Sequence, residues 1–253
     1  NSDTEVILNA YLEWGWEIML RRIDGMFGIA IWDNRTQTLY AARDRVGKKP
    51  FFYSQQGDQV CFSSTLNSLR GLLKTSPEVD PVALDAYLAY QAVPAPMTIY
   101  QGISQLPPAH QLIYRFDQRS LEVSRYWEVR YDQKLQNKSE EEILNDLDDL
   151  VRQAVRKRLM SDVPLGAFLS GGVDSSLVVA MMAQEMKEPV NAIVIGFNNK
   201  EFDERRYARQ VAEHLGKDNV NLSERVLDSD SISNLPEIIW HYGQPLSDVS
   251  IIP

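Results

Sequence analysis

The chain has 253 residues, room for one large domain or two modest ones, and 44% of them are hydrophobic, so a sizeable core can be buried. A net charge of −9 argues against nucleic acid as a main partner, because phosphate backbones need a basic face. The single cysteine, Cys61, leaves no disulfide framework and points to a reducing compartment, and no apolar run approaches the roughly 20 residues of a membrane helix.

Ser2 to Glu5 reads as a helix start, a Ser cap answered three residues later by Glu, and Val6, Ile7, Ala10, Tyr11 and Trp14 continue at helical spacing. Strand-like runs follow with turn signals between them: GMFGIAIWD, TLYAARD, PFFY and QVCFSS. Cys61, in the last of these, reads as a buried apolar thiol. A short helix is predicted over 67–74, and another from the Asp80-Pro81 start to about Tyr90. The Pro-rich VPAPMTIYQGISQLPPAHQLIY predicts turns and short extended pieces, LEVSRYWEV a further strand, and DQKLQNK a linker.

The pattern then changes. Ser139 with Glu142 forms a capping box for a helix to about Leu159. Its first half is acidic and its end basic (Arg152, Arg156, Lys157, Arg158), the order a helix dipole favours, so the basic cluster reads as a solvated helix end. A strict alternation follows: strand 165–169, helix from about Asp174 to Met186, strand 190–197, helix 203–215, strand near 219–222, and a helix from about Ser231. Such alternation indicates βαβ units and a parallel sheet. The fold class is therefore α/β, with two domains, 1–130 and 131–253, joined near residues 129–138. Three scattered histidines (His110, His214, His241) offer no metal-ligand spacing. The start at Asn1 and the apolar stop at Ile251, Ile252 and Pro253 read as cut ends of a longer protein.

FLSGGVDSSLVVAMM, residues 168–182, is the most informative stretch. Ser170, Gly171, Gly172, Val173, Asp174 and Ser175 fall between the first parallel strand and the first crossover helix, where open α/β sheets bind ligands. A helix N-terminus there offers free N–H groups to an anion. The two glycines let backbone approach phosphate oxygens, and Ser170, Ser175 and Ser176 can add hydroxyl donors. Asp174 beside a phosphate is repulsive unless a cation lies between them, which makes it a candidate Mg²⁺ ligand. No Lys stands in the loop, so it is not the GxxxxGK[ST] type. Read without its context, the same stretch is ordinary turn and N-cap chemistry.

SGGVDSS matches the SGGxDS signature of the PP-loop ATP pyrophosphatases, which cleave ATP between the α and β phosphates and leave an adenylated substrate. RLMSDVPLGAFLSGGVDSSLVVAMM resembles the start of the synthetase domain of glutamine-dependent asparagine synthetases. GMFGIAIWD, ARDRVGKKPFFY and VPAPMTIYQGISQLPPAHQL resemble the later part of that family's class II (Ntn) glutaminase domain. IGFNNKEFDERRYARQVAEHLG and YGQPLSDVSIIP follow the same family downstream.

The resemblance implies an αββα glutaminase remainder followed by a Rossmann-like PP-loop domain. Ser170, Gly171, Gly172, Asp174 and Ser175 would hold pyrophosphate and Mg²⁺, with Asp174 the metal ligand. Leu169 and Ile195 match positions that contact the adenosine of ATP. Asp3 matches the aspartate that binds the α-amino group of glutamine. Asp203, Glu204 and Asp248 match family positions whose role the sequence leaves open. The activity implied is asparagine synthesis from aspartate, ATP and glutamine, and the same resemblance suggests a cytoplasmic homodimer with no membrane or nucleic-acid partner. Two alternatives stay open: the same chemistry on another acid, such as a sugar, peptide or antibiotic precursor, and a non-catalytic ATP-binding remnant.

The departures are specific. The family's glutaminase nucleophile is an N-terminal Cys; residue 1 here is Asn, and Cys61 is interior, so no catalytic glutaminase residue is present. The Arg and the Asn-Gly pair of the glutamine site and an SGEGSDE-like segment are also missing, and Ser64-Thr65 stands where the family usually has Ser-Glu. The 253 residues alone are expected to be incomplete for activity.

Overall fold

The computed structural model describes residues 2–131, 138–199, 203–227, 233–248 and 251. It divides into two compact units: Asn1–Asp132 with Asn234–Ile251, and Gln133–Ser233 with Ile252–Pro253.

In the first unit, α1 (Asp3–Trp14) starts as its sequence predicts, with the Ser2 hydroxyl accepting the Glu5 N–H at 3.3 Å. Gly15 (φ +75°) ends it and allows an immediate second helix, α2 (Trp16–Arg22). Four strands, β1 (Gly28–Asp33), β2 (Thr38–Arg43), β6 (His110–Arg115) and β7 (Ser120–Arg125), form an antiparallel sheet in the order β1-β2-β6-β7. A second antiparallel sheet, β4-β3-β5, joins β3 (Phe52–Gln56), β4 (Gln59–Ser63) and β5 (Ser104–Gln105).

Strand alternation defines the layers. On β2, Tyr40 and Ala42 face Ala10, Trp16, Met19 and Leu20 of the two helices. Leu39 and Ala41 face the other way, into a core shared with Tyr53 and Val60 of the second sheet. Phe52 and Cys61, on that sheet's far side, meet Leu66 and Leu69 of α3 (Leu66–Leu72). The order is helix, sheet, sheet, helix: an αββα sandwich. α4 (Pro81–Tyr90) begins at the Asp80 cap, whose carboxylate accepts the Val82 N–H at 2.9 Å.

Asp44 organises the turn after β2. Its buried carboxylate accepts N–H groups from Phe27, Val46, Lys48 and Lys49. Burial pushes the carboxyl up, but these four donors outweigh it and hold it below the usual range. Arg43, also buried, donates to the carbonyls of Lys49, Leu106 and Gly47. The same unit takes in α8 (Leu235–Tyr242) and the chain after it. Gln244 accepts the Ile99 N–H at 3.3 Å, and Ser247 donates its N–H to Gln91 O at 3.0 Å.

In the second unit, α5 (Glu140–Arg156) opens on the predicted capping box: Ser139 Oγ accepts the Glu142 N–H, and Glu142 accepts the Ser139 N–H. Strands β8 (Gly166–Phe168), β9 (Val190–Phe197) and β10 (Val220–Leu227) form a parallel sheet, β10-β9-β8. Crossover helices α6 (Val173–Glu185) and α7 (Arg205–Leu215) connect them. Val190, Ala192 and Val194 of β9 share one core with Val179 and Met182 of α6 and with Ala208 and Ala212 of α7.

Several expectations need correction. α2 was not predicted, because a seven-residue helix beside a glycine leaves too short a periodic signal. In the Pro-rich segment the expected short extended pieces are present as β5 and most of β6, the latter paired on both sides. Cys61 is half-buried rather than buried. The basic end of α5 is not simply solvated: Arg152 and Arg156 both reach Glu185 of α6, at 3.4 and 2.7 Å. The expected linker lies, apart from Lys138, outside the described residues, as does the Ser231 helix start; α8 begins at Leu235.

Candidate functional site

Leu169, fully buried, anchors the loop that leaves β8, and its N–H bonds Ile193 O of β9 at 2.9 Å. The next six residues turn sharply. Gly171 sits at φ +83°, a backbone region that residues with a Cβ rarely adopt. Ser170 Oγ and Ser175 Oγ are 2.9 Å apart, and the Ser170 and Gly172 N–H groups point to Ser175 Oγ and Ser170 Oγ, each at 3.3 Å. The two hydroxyls expected to face a ligand therefore also brace the loop internally.

Gly172 is the N-cap of α6, and among the described residues no side chain caps that helix. Its first-turn N–H groups are left without the usual Ser, Thr or Asp partner, so an anion can take their place. Ser176 Oγ, one turn into α6, is buried with no hydrogen-bond partner among the described residues. Asp174 is exposed in the first turn. Among the described residues no group of three His, Cys, Asp or Glu could enclose a metal. A lone exposed carboxylate suits Mg²⁺ carried in by phosphate, since that ion keeps most of its ligands from phosphate oxygens and water.

The loop thus gathers Ser170, Gly171, Gly172, Asp174 and Ser175 at the carboxyl end of the parallel sheet. Ile195 lies on the adjacent strand β9, half-buried. Asp3, in the first unit, is the first residue of α1 and spends one carboxylate oxygen on the Thr4 N–H at 2.8 Å. It lines a groove of about 1000 Å³ with Val6, Ile7, Ala10, Trp14 and Phe27.

Residues 1–127 match the family described as Glutamine amidotransferase domain, and residues 146–253 match Asparagine synthase. This chain belongs to the glutamine-dependent asparagine synthetase family. Across its whole length it is 33% identical to asparagine synthetase [glutamine-hydrolyzing] 1 of Bacillus subtilis, covering 39% of that protein. Over 79% of the chain it is 36% identical to asparagine synthetase [glutamine-hydrolyzing] 3 of the same organism, covering 33% of it. It is also 28% identical, over 99% of its length, to amidase chry2 of Gibberella zeae, covering 38% of that protein. Among solved structures, a glutamine phosphoribosylpyrophosphate amidotransferase from B. subtilis aligns over all of this chain and 65% of its own, at 11% identity and a TM-score of 0.34, too low to argue from.

Within this synthetase-family chain, the residues that sequence reading left without a role are partly explained. Thr65 caps α3 by accepting the Ser68 N–H at 3.4 Å. Asp203 forms a two-point pair with Arg205, at 2.7 and 2.8 Å, and this holds its carboxyl down to about 2. The signal for that pair was an Asp two residues before an Arg at a helix start. Such spacing is common, so sequence alone did not single it out.

Proposed function

We propose that the SGGVDSS loop binds the phosphates of ATP in an amide-forming reaction. The 131–253 region is the first part of the adenylating domain, and 1–130 the later part of a glutaminase domain. The observation that carries this reading is the uncapped N-terminus of α6 behind two glycines, in a stretch that matches the asparagine synthase family. Asp174 would hold Mg²⁺, and Leu169 and Ile195 would meet the adenosine. Bound Mg²⁺ would supply charge neutralisation for the departing pyrophosphate.

The chain's own part is electrostatic and positional. First-turn N–H groups of α6 and the Ser170 and Ser175 hydroxyls would orient the phosphates and stabilise charge that develops as the bond breaks. The side-chain carboxylate oxygen of aspartate attacks the α-phosphorus; the bond to the bridging oxygen breaks and pyrophosphate leaves. Ammonia then attacks the acyl carbon, loses a proton and expels AMP, giving asparagine. Asp3 would bind the glutamine that supplies the ammonia. The protein is proposed to be cytoplasmic; among the described residues no helix is long and apolar enough to cross a membrane.

The likeness to a fungal amidase favours a second reading, the same adenylation on another acid. The test is run on the protein that carries this sequence, with ATP, Mg²⁺ and a panel of acids. Pyrophosphate release that depends on aspartate supports asparagine synthesis. Release only with another acid selects the second reading. Asp174→Asn is expected to lower release at least a hundredfold, and unchanged release would remove its metal role.

A further inference from the structure

The phosphate loop is supported from outside by α7. A Cβ added at Gly171 would lie 2.4 Å from Tyr207 Cβ and 2.7 Å from Ala208 N, so the crown of the loop rests directly on the backbone of the first turn of α7. That turn is in turn tied to β9. A Cβ at Gly196, near the end of β9, would meet Arg205 Nε at 2.3 Å, Arg205 Cδ at 2.4 Å and Asp203 Oδ1 at 2.7 Å. The Asp203–Arg205 pair therefore lies across the strand on a seat that only glycine leaves open.

Asp203 does three things at once. It takes Arg205 Nε and Nη2 in a bidentate pair and accepts the Arg205 backbone N–H at 3.3 Å. The N-cap residue Glu204 makes no side-chain cap bond, so among the described residues this contact is the side-chain bond at the start of α7. One turn further on, Arg209 reaches Glu224 of β10 with two bonds of 2.6 Å, which fixes the helix to the next strand. Both members of the Asp203 pair are about one-fifth exposed, so solvent does not dissolve the geometry as it does for a fully exposed pair.

The Ser170–Ser175 hydrogen bonds brace the foot of the loop, while its left-handed crown, Gly171, has the backbone freedom of a glycine and makes none of those side-chain bonds. Its N–H groups can favour a phosphate only if their directions are set before binding. The path Gly196, Arg205, first turn of α7, Gly171 supplies that constraint. We propose that Asp203 and Arg205 are a positioning pair for the nucleotide-phosphate loop: they touch no nucleotide, and they set the loop's shape by seating α7 on β9. This rests on the reading of the loop as an ATP site.

The test measures MgATP affinity by titration calorimetry, and ligand-free thermal melting, on the protein that carries this sequence. Asp203→Asn removes the charge without changing size, Arg205→Gln removes the fork, and Gly196→Ala displaces the pair while leaving both charges. Each is expected to weaken MgATP binding about tenfold. The double variant Asp203→Asn with Gly196→Ala is expected to be no weaker than either single one, because the two changes break the same path. Arg205→Lys, which keeps a charge on the seat, should recover part of the affinity and guards against a loss that reflects misfolding alone. Lowered melting temperatures with unchanged MgATP affinity would overturn the proposal, leaving the pair purely structural. Additive losses in the double variant would also overturn it. If the unsubstituted protein binds no MgATP, the ATP reading itself falls, and this inference with it.

Discussion

Gly171 and Tyr207 are in closer register than any side chain at position 171 would permit: the nearest Tyr207 atom lies 2.4 Å from where a Cβ would be. The glycine thus serves two demands, the left-handed turn of the 170–175 loop and the approach of α7. Gly171→Ala should be costly on both counts. The backbone conformation alone costs about 1–3 kcal/mol, and forced overlap with a helix backbone adds about 1–3 kcal/mol. Urea unfolding followed by circular dichroism would check this. A variant as stable as the parent would mean that α7 can move off the loop freely.

Leu169 links the loop to the core of the second unit. It is fully buried and shares one core with Val179, Val194 and Ala208. Leu169→Ala is expected to destabilise that unit by about 2–5 kcal/mol, depending on how far the site collapses. The cooperative transition of the second unit should shift while near-ultraviolet signals from Trp14, Trp16 and Trp32 in the first unit keep their own midpoint.

The capping box of α5 stands at the start of the second unit's first helix and well away from the loop in sequence. Ser139→Ala should cost about 1 kcal/mol of stability and leave nucleotide affinity unchanged. Ser139→Asp, which can cap as well, should restore most of the loss. A Ser139→Ala chain that melts with the parent would show that the helix end is held by packing alone.

The paired carboxylates should contribute to the acid limb of stability. Arg205 holds Asp203 down to about 2 in the folded chain, against an ordinary value of about 4. A lowered folded value means that the contribution is fully present above about pH 4 and is lost as pH falls towards 2. Asp33, held down by Arg35 and Tyr11, and Glu185, held down by Arg156, have the same sign. Melting temperatures should therefore be insensitive to these groups between pH 6 and 8 and fall steeply below pH 4. In Asp203→Asn the acid-side decline should be shallower. Tyr11 runs the other way: burial and its hydrogen bond to Asp33 push it up to about 12, so its contribution is lost only as pH rises from about 10 towards 12.

Much of this protein was legible in its residue order. Local chemistry is sufficient where one side chain satisfies a nearby backbone group. The Ser2, Asp80 and Ser139 caps each appear where the sequence puts them, and β9 spans the predicted 190–197. The loop was readable for the same reason: glycines, hydroxyls and a carboxylate in six consecutive residues carry their geometry with them.

What only tertiary structure decided were relationships between residues that are ordinary one at a time. The half-burial of Cys61, the convergence of Arg152 and Arg156 on Glu185, and the capture of residues 244–247 by the first unit depend on packing that no local pattern encodes. Nothing in the sequence connects Gly196 to Gly171. Their common dependence on α7 arises because helix and strand meet at van der Waals distance, and there the absence of a methyl group matters as much as the presence of a charge.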